Sequence, residues 1–340
     1  MNRFYYILRR LILSFIVLIG VIGITFVVAR VVPSDPARMM AGPRARAEQV
    51  QRMRQELGLD RPMHEQFIQY VSSVFRLDFG ISFSNRLEIS DQLKQFLPAT
   101  LELVFISVFL SVFVGIPLGV IASARPNSWL DRTIRLLTIC GVSIPTFFLA
   151  LLLQIVFFQQ LGWLPLAGRL DREIILYHPV EVRTGFYLVD TFISGNWTAF
   201  KSALNHVILP VLVLAVYPIS LIARVTRASM LEVLSENFIL SAKASGLSEG
   251  MILSQLALKN AVAPSLSLVA LTAAYSITGA FLIETIFVWP GIGQFAFDAV
   301  AAVDFPVILA ITLVVTVAYI VINLVVDIVQ AMIDPRITLD

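Results

Sequence analysis

The sequence predicts an all-α integral membrane protein with six transmembrane helices, and two observations support this prediction. Hydrophobic residues make up 58% of the 340-residue chain and charged residues only 14%, against about 45–50% and about 25% in soluble globular domains. Six apolar runs also approach or exceed the roughly 20 residues that a helix needs to cross a bilayer. A soluble fold of this size could not hide so much apolar surface in one core. An ordinary soluble enzyme is therefore excluded.

The six predicted spans lie at residues 11–31, 99–123, 136–158, 206–223, 264–288 and 306–333. The first run could instead belong to a cleaved signal peptide, because basic residues precede it. Its apolar stretch from Leu11 to Ala29 is longer than the about 7–15 residues typical of such peptides, which favours a spanning helix.

The distribution of Lys and Arg in short loops predicts the orientation of the chain, because cytoplasmic loops carry the excess. Three basic residues precede span one, three lie between spans two and three, and four lie between spans four and five. The loops on the opposite side carry four in residues 162–205 and none in residues 287–305. Segment 31–98 carries nine basic and eight acidic residues, but it exceeds the length of about 60 residues within which the rule applies. We therefore expect both termini in the cytoplasm.

Residues 31–98 are predicted to form an external helical segment between spans one and two. Val50, Met53 and Leu57 recur at helical spacing before Gly58, and a second helix is indicated over residues 67–75. We expect three parts: residues 1–98 with span one and this segment, residues 99–333 with the other spans and a cytoplasmic loop at about 224–263, and a cytoplasmic tail at 334–340.

The loop between spans four and five has the clearest helical pattern outside the membrane. A helix is predicted from Ala228 to Ser245, with an apolar stripe formed by Leu231, Leu234, Phe238 and Ala242. Gly246 can adopt the positive φ that ends a helix, and Ser248 can cap a following one. This pattern fits either an amphipathic connector on the lipid surface or a docking element for a soluble cytoplasmic partner. The short stripe and the glycine turn favour docking.

The sequence contains no recognisable catalytic or metal-binding motif. Its three histidines, His64, His178 and His206, lack the H-x-x-x-H spacing of a zinc site, and no phosphate-binding G-x-x-x-x-G-K-[ST] occurs. Cys140 is the only cysteine, so it can form neither an intrachain disulfide nor a cysteine cluster. A net charge of +2 without basic clustering gives no indication of nucleic-acid binding. We therefore predict no catalytic residues and no metal ligands.

Ionisable residues within the spans lie near span ends, whereas ion-coupled transporters place them near the bilayer centre. These residues are Glu102, Glu284 and Asp327. Polar residues nearer the middle could line a polar pathway or bond helices to one another; they are Ser143, Gln154, Tyr217, Thr272, Tyr275, Ser276 and Thr278. Prolines are predicted to interrupt spans three and four and to permit bends there; they are Pro145, Pro210 and Pro218.

Residues 224–263 resemble the cytoplasmic EAA loop of the inner-membrane permease family of binding-protein-dependent ABC importers, in particular its dipeptide/oligopeptide branch. The similar stretches are Arg227–Leu234, Ser241–Ser248 and Leu258–Ala261 with Pro264. Leu240 and Ser241 stand where the general motif has Glu and Ala, and Lys259 stands where it has Pro. Further stretches similar to this branch are Gly58–Pro62, Asp78–Ser82, Leu97–Leu103, Glu284–Gly293 and Asp334–Arg336.

This resemblance implies the type I permease fold of ABC importers and a place in the bacterial cytoplasmic (inner) membrane. It implies that the chain is a transport subunit and not an enzyme, moving peptides or a similar small solute. The implied partners are a second homologous permease, two ABC ATPase subunits, a periplasmic or lipid-anchored solute-binding protein, and membrane lipid. No cofactor is then bound by this chain, because ATP and Mg belong to the ATPase subunits. The alternatives are a stand-alone secondary transporter or channel, and a membrane-embedded enzyme.

Three groups of candidate functional residues follow. The residues expected to couple to an ATPase are Leu234, Glu236, Phe238, Ser241, Ala242, Lys243, Ala244, Gly246 and Leu247. Those expected along a translocation path are Ser143, Gln154, Tyr217, Tyr275 and Ser276. Those expected at an outer gate are Glu284, Trp289, Pro290 and Gly291.

Overall fold

A computed structural model of the protein describes residues 3–31, 36–42 and 44–333. The expected tail at 334–340, with the stretch Asp334–Arg336, lies outside the described residues. The described α-helices are, in chain order, α1 (Arg3–Val31), α2 (Pro36–Ala41), α3 (Ala47–Glu56), α4 (Met63–Phe75), α5 (Ile89–Ala124), α6 (Trp129–Ser143), α7 (Thr146–Leu153), α8 (Arg172–Tyr177), α9 (Tyr187–Ile193), α10 (Trp197–Leu234), α11 (Asn237–Ala244), α12 (Glu249–Met251), α13 (Leu258–Ile286), α14 (Ile292–Ala301) and α15 (Phe305–Ile333). Two π-helical segments, Gln154–Gln160 and Ile252–Ala257, follow α7 and α12.

The predicted all-α fold with six spans is confirmed, with span three broken in the middle. Five helical stretches are long and apolar enough to cross a membrane, namely Leu8–Ala29, Ile89–Ala124, Trp197–Leu234, Glu249–Ile286 and Phe305–Val325. The sixth span is formed by Trp129–Ser143 and Thr146–Gln160, which are bent by 106° at Pro145. Length and apolar composition fix these spans because the bilayer demands both.

The prediction that prolines interrupt span four is wrong. Pro210 and Pro218 both lie inside α10, which continues without a break from Trp197 to Leu234. Each proline removes one backbone donor, but both side chains are buried in the surrounding protein. Neighbouring helices therefore hold α10 together across both sites, which is how membrane helices tolerate proline.

The described chain divides into two compact units. The larger unit is built on residues 98–294, with α10 at its centre and in contact with α13, α6 and α7. The buried share of the most apolar stretch is 67% in α10, whereas it is 44% in the span that contains α13. α10 is therefore the core helix of this unit.

The smaller unit contains residues 8–97 and 295–320. The two helices expected in the external segment are present as α3 and α4, and Gly58 ends the first with φ +64°. The ring of Phe26 on α1 packs against Phe67 on α4, with ring centroids 5.2 Å apart. The hydroxyl of Tyr70 lies 3.2 Å from Thr25 Oγ1, to which it donates a hydrogen bond. Helix α4 is thus packed on the end of the first span.

Candidate functional site

Span three is broken at Pro145. The preceding residue, Ile144, has an extended backbone with ψ 124°, because a following proline disfavours helical geometry. Helix α7 then begins at Thr146 without a side-chain cap, so its first N–H groups lack intrahelical partners. A membrane span tolerates such a break where it lies within protein or beside a water-filled cavity.

A cavity of about 280 Å³ lies beside this break, and we call it the broken-span cavity. Its wall is formed by residues 141–146 with Leu149 at the break, by α10 around Tyr217 and by α13 between Thr272 and Gly279. Three helical regions that are distant in sequence therefore enclose one space with both polar and apolar lining. Such concave sites with a few polar groups are where proteins bind small molecules.

Four of the five residues expected along a translocation path line this cavity: Ser143, Tyr217, Tyr275 and Ser276. The rings of Tyr217 and Tyr275 stack across it with centroids 6.0 Å apart. The fifth, Gln154, is absent from the lining. It is buried and its Nε2 donates to the carbonyls of Leu166 (3.1 Å) and Ile286 (3.4 Å), so it ties the π-helical segment to two neighbouring backbones.

The helix predicted over residues 228–245 is wrong, because the chain breaks at Ser235. The Oγ of Ser235 donates to the carbonyl of Glu232 at 2.7 Å, a local bond that competes with continued helix. Glu236 then adopts an extended backbone with ψ 150° before α11 begins. The break changes which side chain faces the protein: Ile239 is fully buried, whereas Phe238 of the predicted stripe is 44% exposed.

Helices α11 and α12 form a small element, the α11–α12 element, that packs on the ends of α10 and α13. Ile239 and Ala242 join a buried apolar cluster with Met230, Ile252, Ala257 and Ala261. Four other large apolar side chains of this element are exposed, namely Phe238, Leu240, Leu247 and Met251. We call these four residues the exposed apolar face. Several large apolar side chains exposed on one short element favour an interaction site.

The turn between α11 and α12 forms at Gly246, as the sequence predicts. Gly246 has φ +79°, and the next amide, of Leu247, donates to the carbonyl of Ala242 at 3.2 Å. Ser248 caps α12 by accepting from the amide of Met251 at 3.4 Å. Among the other expected coupling residues, those exposed are Glu236, Ser241, Lys243 and Ala244, whereas Leu234 is half-buried.

At the other end of α13, Glu284 forms a buried cluster with residues from two other regions, which we call the Glu284 cluster. Thr100 Oγ1 donates to one carboxylate oxygen at 2.5 Å, and the amides of Gly293 and Gln294 donate to the other at 2.6 and 3.2 Å. Trp289 is also buried, and its Nε1 donates to the carbonyl of Ala99 at 3.0 Å.

The remaining expected outer-gate residues differ in their surroundings. Gly291 is buried, and a Cβ at this position would lie 2.5 Å from Glu284 Oε2. Only glycine fits there, because the carboxylate occupies the space a side chain would need. Pro290, by contrast, is exposed. Three of the four expected residues therefore meet in one hydrogen-bonded or close-packed group.

The sequence did not reveal that Glu102 on α5 forms a buried ion pair with Arg169. Arg169 and Glu102 are only 7% and 3% exposed, and their charged atoms lie 2.5 Å apart. Arg169 also donates to the carbonyl of Gly185 at 2.8 Å and stacks over the ring of Tyr187 at 3.6 Å. No local pattern distinguishes Arg169 from the other basic residues of its loop, so only the fold identifies it.

Among the described residues, no three histidine, cysteine or carboxylate side chains come together as ligands for a metal ion. What the described residues do bring together is a cavity with several polar side chains at a broken span, a close-packed turn at one end of α13 and an exposed apolar element at the other. These features define the membrane subunit of a transporter.

Comparison with known protein families identifies the class of transporter. Residues 115–339 match the family of binding-protein-dependent transport system inner membrane components, and residues 1–104 match the N-terminal family of such membrane components. The chain belongs to the family of binding-protein-dependent transport system inner membrane components, which confirms the predicted resemblance.

Two relatives and one solved structure show how far the similarity extends. The chain is 42% identical over 322 residues to the probable D,D-dipeptide transport system permease protein DdpB of Escherichia coli (strain K12), covering 95% of this chain and 94% of that one. It is 38% identical over 332 residues to the dipeptide transport system permease protein DppB of Alkalihalophilus pseudofirmus, covering 98% of both. Its fold is similar to that of the MetNI methionine ABC transporter in an inward facing conformation, with a TM-score of 0.54, 16% identity and coverage of 72% of this chain and 96% of that one.

These similarities confirm the predicted permease fold of ABC importers and favour the transport subunit over the stand-alone transporter or channel. They also give a multi-pass component of the inner membrane. The fold itself is thus shared even where sequence identity is low, whereas the relatives at higher identity match over nearly the whole length.

Proposed function

We propose that this chain is the permease subunit of an ATP-driven importer that moves peptides or a similar small solute across the bacterial cytoplasmic membrane. The broken-span cavity is the observation that carries this proposal, because polar side chains from three helical regions line a space within the spans. The peptide cargo is supported by relatives named as dipeptide and D,D-dipeptide permeases that align over nearly the whole chain.

In this proposal the broken-span cavity is a part of the solute path. The hydroxyl groups of Tyr217 and Tyr275 can donate to and accept from a peptide backbone. Ser143 and Ser276 donate to carbonyls of their own helices, so their oxygens can only accept. The free N–H groups at the start of α7 add donors at the same place. The stacked tyrosine rings present flat apolar surface, which suits side chains of varied shape.

The α11–α12 element is proposed to dock on an ATPase subunit. Its exposed apolar face offers four large side chains to a partner, while Ile239 and Ala242 anchor the other side on α10 and α13. ATP and Mg would be bound by two such ATPase subunits. A movement of these subunits can switch the permease only if they contact its two states differently, and α13 links the element directly to the cavity wall.

The Glu284 cluster is proposed as the rigid frame of the outer gate. Its carboxylate is held by three donors, and Gly291 is packed against it. The turn at Trp289–Gly291 would then keep one shape while the spans beside it move. A second homologous permease would complete the path, and a periplasmic or lipid-anchored solute-binding protein would deliver the solute on this side.

A tagged pull-down from the native membrane in mild detergent tests the partners. We expect an ATPase with a P-loop and a second six-span protein to co-purify. Replacing Phe238 and Leu247 with Asp should remove the ATPase and keep the second permease, because the exposed apolar face is lost. Ser254→Asp is the matched control, since Ser254 is exposed but outside that face. Recovery of the chain alone, under conditions that keep a known ABC complex intact, would favour a self-sufficient transporter.

Cysteine labelling tests the path. In a Cys140→Ser background, Ser143→Cys should react with a hydrophilic thiol reagent, and the transported dipeptide should slow the reaction. Leu137→Cys is the control, because Leu137 is 64% exposed on the same half-helix but does not line the cavity. Equal reaction at both positions, or no protection by the dipeptide, contradicts a path through the cavity.

A further inference from the structure

A second cavity, of about 390 Å³, lies within the smaller unit between α1, α3, α4, the 78–83 loop and the start of α15. We call it the Gln66 cavity. Its volume falls in the range of about 300–1,000 Å³ that is typical of small-molecule sites. It shares no lining residue with the broken-span cavity, so the proposed solute path does not account for it.

The Gln66 cavity lies at the ends of two spanning segments. Phe26 and Ala29 are at the end of Leu8–Ala29, and Phe305 and Pro306 begin Phe305–Val325. A site at span ends lies at the depth where lipid headgroups meet water. Only 17% and 22% of the most apolar stretches of these two spans is buried, so both spans leave most of their surface for contact with lipid.

The lining combines an apolar wall with negative charge. Five aromatic side chains contribute to the apolar part, namely Phe26, Tyr70, Phe79, Phe83 and Phe305. Glu56 and Asp78 add two carboxylates, and the described lining contains no Lys, Arg or His. This combination favours a cation, which both carboxylates and aromatic faces attract.

The unpaired side-chain oxygen of Gln66 favours a cation that also donates a hydrogen bond. The residue is 6% exposed, and its Nε2 donates to the carbonyls of Arg61 (2.7 Å) and Leu59 (3.3 Å). These two bonds fix the orientation of the amide, so the other terminal atom is the acceptor Oε1. That buried oxygen has no hydrogen-bond partner among the described residues. Buried acceptors without a donor are rare in proteins.

We propose that the Gln66 cavity binds a protonated primary amine carried on an apolar body. One N–H donates to Gln66 Oε1, Glu56 and Asp78 supply the opposite charge, and the aromatic side chains contact the apolar part. Two sources carry this chemistry at this depth: the ethanolamine headgroup of a phospholipid and a free amphiphilic amine. A quaternary ammonium has no N–H and leaves the Oε1 atom unsatisfied.

The first experiment distinguishes headgroups on the purified transporter. Native mass spectrometry follows lipid retention after incubation with an equimolar mixture of phosphatidylethanolamine and phosphatidylcholine with matched acyl chains. We expect phosphatidylethanolamine to be retained about tenfold more than phosphatidylcholine, as one charged hydrogen bond allows. The double variant Glu56→Gln/Asp78→Asn should lose this preference. Glu65→Gln should keep it, because Glu65 lies on α4 outside the lining.

The second experiment tests the free amine. Isothermal titration calorimetry of the lipid-depleted transporter compares phenethylamine with its N,N,N-trimethyl derivative. Saturable binding of phenethylamine alone, lost in the double variant, supports the site even if the two lipids are retained equally, and then assigns a soluble amine as its source. The proposal is overturned if neither probe nor lipid shows a preference for the primary amine, or if the double variant binds like Glu65→Gln.

Discussion

Glu284 and Asp304 show how single carboxylates fix turns next to the spans. Glu284 receives its hydroxyl donor from Thr100, and Asp304 receives one from Ser82 at 2.6 Å. Each pair is far apart in sequence, so neither contact could be predicted from local pattern. Backbone amides also donate to both carboxylates. Each carboxylate therefore fixes the backbone of a loop and does not only pair with one side chain.

Gly291→Ala is expected to destabilise the larger unit. The new Cβ would lie 2.5 Å from Glu284 Oε2, so the carboxylate must move and lose the hydrogen bonds from Gly293 and Gln294. Loss of such buried hydrogen bonds destabilises by about 1–3 kcal/mol. The melting temperature of the purified protein, followed by tryptophan fluorescence, measures the effect. Gly20→Ala is the control, because its Cβ meets nothing within 4 Å. Equal melting of the two variants contradicts the role of the cluster.

Asp304 predicts how the 82–85 turn responds to acid. Burial alone would raise the pKa of Asp304, but hydrogen bonds from Ser82, Ser84 and Phe83 outweigh it and hold the pKa below its ordinary value of 3.8. A carboxyl with a lowered folded-state pKa contributes stability above its unfolded pKa and loses it as the pH falls through the folded value. We therefore expect the turn to hold at neutral pH and to loosen only below about pH 4.

Hydrogen exchange at the amides of Phe83 and Ser84 measures this acid response. Asp304→Asn should weaken protection already at pH 7, because one charged acceptor is lost, and should remove most of the acid dependence. Asp298→Asn serves as the control, since Asp298 is exposed on α14. An acid response that persists unchanged in Asp304→Asn would assign the effect to another group.

The existence of the spans could be predicted from the sequence, but their breaks could not. A span depends on local apolar length alone, and each of the six predicted runs overlaps an observed span. Whether a proline breaks a helix depends on its surroundings: both Pro145 and Pro218 line the broken-span cavity, but Pro145 is exposed and bends its span, whereas Pro218 is buried within a continuous helix. The end of α10 at Leu234 depends likewise on how Ile239 packs.

In the candidate sites too, features that depend on local sequence could be predicted, whereas features that depend on packing could not. Polar residues in apolar spans turn away from lipid, so four of the five expected path residues line one cavity. Gln154 is likewise a polar residue in an apolar span, yet its side-chain amide donates to backbone carbonyls and does not line the cavity. Arg169 pairs with Glu102 across 67 residues of sequence. Long-range pairings of this kind depend on the packed fold and leave no local signal.

Gly246→Pro is expected to uncouple transport while the protein still inserts in the membrane. Proline fixes φ near about −65°, whereas Gly246 has φ +79°. The turn must therefore open, and the exposed apolar face that spans it is lost. Dipeptide uptake and dipeptide-stimulated ATP hydrolysis by the reconstituted transporter should both fall, with an unchanged amount of protein in the membrane. Gly250→Ala is the matched control, because Gly250 is helical and its Cβ meets nothing within 4 Å. Normal uptake by Gly246→Pro would falsify the coupling role.

For the whole molecule, the distribution of charge predicts which face meets the cytoplasm. Ten basic residues precede span one or lie in the loops that join spans two to three and four to five, against four in the loops 162–205 and 287–305. This excess places the α11–α12 element inside and the 162–205 loop outside. Docking on an ATPase requires the same orientation, because ATP is available only in the cytoplasm. The distribution of charge and the proposed coupling to an ATPase therefore both predict that the α11–α12 element lies in the cytoplasm.

Single cysteines test this orientation directly. In a Cys140→Ser background, Ser194→Cys and Ser245→Cys are matched changes at exposed serines in the 162–205 loop and just after α11. A membrane-impermeant maleimide added to intact spheroplasts should label Ser194→Cys at once and Ser245→Cys only after the membrane is permeabilised. The reverse pattern would place the exposed apolar face outside the cell. No ATPase could then reach it, and the coupling proposal would fail together with the predicted topology.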